Sequence, residues 1–85
     1  MYQITIKKTA SKELEKLPKK IILSITTSIY TLANNPRPTG CKKLKGAKDY
    51  LWRIRVGDYR VIYSIEEDVK ILDIKKVGHR KDIYE

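Results

Sequence analysis

The chain is short of the residues from which most catalytic centres and small-domain staples are built. Among 85 residues there is one cysteine, Cys41, and one histidine, His79. A lone cysteine excludes an internal disulfide, and one Cys with one His falls short of the ligand set of a structural zinc site. No Ser-His-Asp set, phosphate-cradling glycine loop or metal-ligand spacing occurs, so no metal or other cofactor is expected. No apolar run approaches the ~18 residues that span a bilayer. Residues 1–8 alternate and lack the apolar centre of a signal peptide, which makes a reduced cytoplasm the expected compartment.

Acid is also scarce. Ten Asp and Glu stand against nineteen Lys and Arg, a net charge of +9. A field of that sign favours RNA, DNA, an anionic surface or an acidic protein, and by itself chooses none of them. The hydrophobic fraction of 41% is too rich for a disordered chain. Eighty-five residues predict one domain over 1–85, with area scaling burying about 64% of the extended surface and leaving no room for a deep interior pocket.

What is present reads as an α+β domain in the order β-α-α-β-β-β. Residues 2–7 alternate in a β-favouring background and read as a strand. Thr9 or Ser11 can cap a first helix carrying Ala10, Leu14 and Leu17. Pro18 breaks it and opens a second, whose Ile21, Ile25, Ile29 and Leu32 form one stripe until Asn34-Asn35-Pro36 stops it. Residues 37–49 read as a basic loop. Leu51–Val56 alternates as a strand, Gly57-Asp58 is a two-residue hairpin turn, and 59–65 is the return strand. Glu66-Glu67-Asp68 reads as a solvated turn before a last strand over 69–77 and a polar tail. The expected sheet is twisted, mainly antiparallel, and packed on the helical hairpin.

Alternation puts Arg53 and Arg55 on one face, and a pairing centred on the turn sets Arg55 opposite Arg60. Facing like charges destabilise a ladder unless an anion lies between them, so this is either a phosphate clamp or a solvated face paired with nearby acids. Lys42, Lys43, Lys45 and Lys48 can track a nucleic-acid backbone or simply solvate a loop. Tyr50 and Tyr84 can stack on a base or cover a sheet edge, while Trp52 and Tyr59 suit the core. His79 is the one side chain whose ordinary pKa lies near neutrality. An enzyme so equipped is confined to reactions in which stabilising developing negative charge does most of the acceleration. RNA cleavage by the adjacent 2′-hydroxyl is such a reaction, since the nucleophile belongs to the substrate.

Three stretches together carry a family resemblance: Leu44-Lys45-Gly46, then Trp52-Arg53-Ile54-Arg55-Val56-Gly57-Asp58-Tyr59-Arg60-Val61-Ile62-Tyr63, then Val77-Gly78-His79-Arg80-Lys81-Asp82-Ile83-Tyr84. With the helical hairpin and the Asn-Pro loop, the whole chain resembles the RelE toxins of the RelE/ParE superfamily. The resemblance implies a toxin of a type II toxin–antitoxin pair that cuts messenger RNA in the ribosomal A site. Its implied partners are the ribosome, the message and an acidic, RelB-like antitoxin, partly disordered when free, that wraps around the toxin. It implies that Arg53 and Arg55 form the catalytic basic pair and that Arg60 binds the phosphate. It also implies that Arg80 serves the leaving oxygen and that Tyr84 orients the 2′-hydroxyl. The founding branch has lysines where this chain has Arg53 and Arg55. Arginine does not give up its proton, which makes charge stabilisation their role and leaves proton transfer to Tyr84 or His79. The alternative on the same fold is a ParE-like inhibitor of DNA gyrase acting by protein binding.

Overall fold

The computed structural model describes residues 1–44 and 50–81. The chain opens on β1 (Gln3–Ile6) and passes directly into α1 (Lys8–Glu15). Ser11 N–H donates to Lys7 O at 2.9 Å, the first bond of the helix, so Lys7 is the N-cap, and its side chain makes no capping bond. Thr9 and Ser11, the expected caps, lie inside the helix. Pairing outranks capping preference here, because Lys7 N–H is held by Ile74 O at 2.9 Å and the chain can turn only after it. α2 (Lys19–Leu32) starts from Pro18, extended at φ −57° and ψ 144°. Its Ile25, Ile29 and Leu32 are buried, with Ile21 packed beside them, as the 3.6-residue stripe requires.

The remaining elements are β2 (Lys42–Leu44), β3 (Leu51–Val56), β4 (Tyr59–Glu66) and β5 (Ile71–His79), in one sheet ordered β1-β5-β4-β3-β2. β1 runs parallel to β5 and the other neighbours are antiparallel. The class is α+β, as expected, with one strand more than expected. Residues 42–44, expected within a loop, pair with Arg53, Trp52 and Leu51, and the segment is held because Leu44 buries against Ile62 and Leu51. Val69 and Lys70, expected in the last strand, belong instead to its turn. Lys70 sits at φ 56° and Val69 is exposed, a backbone geometry that ladder pairing does not allow.

Both helices cover one face of the sheet. Ala10, Ile25, Ile29 and Leu32 meet Ile54, Val61, Tyr63, Leu72, Ile74 and Val77, each aliphatic worth about 1.5–3 kcal/mol on full burial. Two polar ties close this layer. The Tyr63 hydroxyl donates to Pro36 O at 2.6 Å, fastening the Asn-Pro loop to the sheet. Burial pushes the Tyr63 phenol well above its ordinary pKa, with Cys41 adding to the rise and Arg37 opposing it. β1 reaches only to Ile74 along β5, and beyond it Val77 N–H donates to the Glu13 carboxylate of α1 at 3.2 Å. A backbone donor at that open edge thus gains a partner from the helix lying over it.

Candidate active site

The β3–β4 hairpin builds the site from its turn outward. Gly57 has φ 61° while Asp58 does not share the positive φ, the pattern of a type II′ turn with glycine at its first central position. Such a turn locks the register at Val56–Tyr59, Arg55–Arg60 and Ile54–Val61. A two-residue hairpin closes on a hydrogen-bonded pair, so Arg55 and Arg60 form the next, non-hydrogen-bonded pair, with Cα atoms about 4.5 Å apart. On its other side Arg60 faces Gly78 of β5, which has no side chain to fill the space. The tail is pinned where β5 ends, because Arg80 N–H donates to Asp58 O at 2.9 Å.

The result is a small cleft of about 90 Å³ at the hairpin tip, lined by Arg55, Arg60 and Arg80 with Gly57, Asp58 and Tyr59. Three arginines from three parts of the chain thus line one cleft. Each offers a planar fork that matches two phosphate oxygens, and a phosphate among them relieves the repulsion of the facing pair. Arg55 and Arg80 are exposed and Arg60 is half-buried, so an anion can reach all three.

Arg53 and His79 do not line this cleft. Arg53 is 3% exposed and lies with Arg55 along a separate groove of about 550 Å³, bounded by Thr31 and Leu32 of α2 and by the turn at 38–41. His79 stands on the helix-facing side, in register with Tyr59, one pleat away from the Arg55–Arg60–Gly78 row. Its ring meets Tyr59 edge-on at 5.3 Å, and its Nδ1 accepts the Lys81 N–H at 3.2 Å. Lys42 and Lys43 sit on β2, in register with Arg53 and Trp52. Tyr84, Lys45 and Lys48 lie outside the described residues. No group of three or more His, Cys, Asp or Glu able to hold a metal occurs among the described residues.

Two features escaped the reading of the sequence. Arg37, counted only as part of a basic loop, lies over the Trp52 ring at 4.9 Å and pairs with Glu67. Trp52 packs against the core, as expected, but is only partly buried, which leaves its ring open to Arg37. The aromatic and the cation are fifteen positions apart, and no periodicity links them.

Residues 4–84 match the profile of the family described as the ParE toxin of type II toxin–antitoxin systems. The chain is 33% identical to the toxin RelE of Mycobacterium tuberculosis, over 98% of this chain and 86% of that protein. It is 34% identical to the toxin RelE3 of Methanocaldococcus jannaschii, over 98% and 96%. Its fold matches the toxin in the archaeal RelE–RelB complex of Pyrococcus horikoshii with a TM-score of 0.83 and 35% identity, covering 96% of this chain and 98% of that one.

Proposed function

The chain belongs to the RelE toxins within the ParE toxin family of type II toxin–antitoxin systems, and on that premise we propose that it is a ribosome-dependent endoribonuclease that cuts messenger RNA. One observation carries the reading beyond membership: Arg55, Arg60 and Arg80 line a single exposed cleft. In the reaction, the 2′-oxygen of the substrate forms a bond to the adjacent phosphorus and the bond to the 5′-oxygen breaks. The products are a 2′,3′-cyclic phosphate and a 5′-hydroxyl end. Arg60, flanked by Gly78, has space to bind the non-bridging oxygens in a fork, and Arg55 shares the charge that builds on the phosphorane. Arg80, at the mouth of the cleft, stabilises the departing oxygen. None of the three can take up the 2′-proton, since a guanidinium stays protonated. His79 stands on the opposite, helix-facing side of the sheet, so that duty falls to Tyr84, and so weak an acid–base equipment explains a need for the ribosome to orient the message, a contribution worth several kcal/mol.

The partner in this reading is an acidic, RelB-like antitoxin. The charge of +9 and the RelE–RelB complex formed by the Pyrococcus relative support it. The test is primer extension on translated message with an Arg60→Ala, Arg80→Ala double variant. Removing one such charge-stabilising group costs about 10²–10³ in rate, so the double variant should cut at least a thousandfold more slowly. Cleavage at the unmodified rate would overturn the proposal. The ParE description of the matched family favours one other reading, a DNA gyrase inhibitor acting by protein binding. Growth arrest that persists in the double variant, with DNA damage and no cut message, would select it.

A further inference from the structure

A second cleft, of about 690 Å³, lies at the opposite end of β3 and β4 from the arginine site. One wall carries two aromatic rings with cations laid over them. Lys43 Nζ is 3.9 Å from the Tyr50 ring centroid and 6.0 Å from that of Trp52, and the Arg37 guanidinium covers Trp52 at 4.9 Å. The facing wall is the acidic turn with Glu66 and Glu67, the latter paired to Arg37. Tyr50 is 71% exposed, so one of these rings lies largely in solvent.

We propose that this cleft is a second RNA contact, holding one unpaired ribonucleotide of a strand whose scissile phosphate lies elsewhere. Each surface suits one part of that ligand. A base stacks on the Tyr50 ring beside Trp52, and the displaced Lys43 ammonium, with Arg37, takes the phosphate. The carboxylates of Glu66 and Glu67 accept from the ribose hydroxyls, including the 2′-hydroxyl that separates RNA from DNA. A cationic ligand would meet Lys43 and Arg37 already seated on the rings, and an acidic peptide would meet the acidic turn. The six residues of β3 put the two clefts about 20 Å apart, so the base is gripped well away from the reacting phosphate. The proposal rests on the RNA-cutting reading for the origin of the strand, whereas the binding itself is separable from cleavage.

Trp52 is the only tryptophan in the chain, so its fluorescence reports on this cleft directly. Titration with a hexaribonucleotide should quench it saturably, and the matching deoxy hexamer should bind more weakly. Tyr50→Ala should weaken the ribo-oligomer about tenfold, the scale of one lost base stack. Lys43→Ala should weaken it comparably and reduce the salt dependence. Both Tyr50 and Lys43 are exposed, so an unshifted Tm will show that these variants fold. Quenching indifferent to Tyr50→Ala, or equal for ribo- and deoxy-oligomers, would overturn the proposal. If message cleavage needs Arg60 and Arg80 while Tyr50→Ala leaves affinity intact, only this proposal falls. If the binding behaves as stated and message is never cut, only the nuclease reading falls. Ultraviolet cross-linking on ribosomes distinguishes message from ribosomal RNA as the source, and cross-linking to neither would also count against the site.

Discussion

Arg55 and Arg60 face one another across the β3–β4 ladder, where like charges cost up to about 1 kcal/mol when nothing lies between them. An anion docked between them turns that repulsion into a grip. The fork matters as well as the charge. Arg60→Lys keeps the cation and loses bidentate geometry, so cleavage should fall about tenfold, less than for Arg60→Ala, as read from single-turnover rates on ribosome-bound message. A quite different residue carries a pH prediction. Burial alone would push the Asp73 carboxyl up, but hydrogen bonds from Lys75 at 2.8 Å and Thr5 at 2.7 Å, with the nearby Lys7 charge, bring it below its ordinary value. A carboxyl held low when folded adds stability that is fully present above its unfolded pKa and lost as pH falls through the folded one. The stability of the unmodified chain to chemical denaturant should therefore fall below about pH 4. Asp73→Asn should remove part of that acid limb while leaving its slope above pH 5 unchanged.

Among the elements, the hairpin and the Asn-Pro loop do the positioning. The type II′ turn leaves β3 and β4 only one register, and a slip of one residue in β4 would turn Arg60 onto the helix-covered face, away from Arg55. The loop is tied to the same sheet through the Tyr63 hydroxyl on Pro36 O, a partly buried bond. Tyr63→Phe keeps the ring and leaves that carbonyl without its donor, costing about 1–3 kcal/mol. A drop in Tm of at least 4 °C is expected for a chain of this length, and an unchanged Tm would mean the bond contributes nothing. At β5 the work is shared differently. Its outer edge is covered by β1 as far as Ile74 and by Glu13 of α1 at Val77, so a helix side chain completes what the short strand leaves open.

At the scale of the whole molecule, charge is sorted along the sheet. The Gly57 end gathers Arg55, Arg60 and Arg80, and the far end carries the Glu66–Asp68 turn against Arg37 and Lys43. A charge of +9 on so short a chain suits a protein normally held by an acidic partner. Steering by such a field raises association rates by 10–10³, so stopped-flow mixing with the proposed antitoxin should slow about tenfold or more between 50 and 500 mM salt. A rate indifferent to salt would remove electrostatics from the account of that pair.

The pairing of Arg55 with Arg60 was legible in the chain because everything that decides it is local. A two-residue glycine turn between two alternating runs permits one register, and the stripe from Ile21 to Leu32 names its own buried face. The extra strand and the start of α1 were not legible, and Arg80 was assigned to the site only through the family resemblance, since each depends on a partner distant in sequence. Residues 42–44 become a strand only because Leu44 has Ile62 and Leu51 to bury against. Lys7 caps α1 because Ile74 holds its amide, and Arg80 joins the cleft because the Asp58 carbonyl holds its own. The Arg37–Trp52–Glu67 assembly is the extreme case, with three segments that meet only once the sheet has formed. Short-range backbone geometry is written in neighbouring residues, whereas which side chains share a cleft is settled by the packing that brings remote segments together.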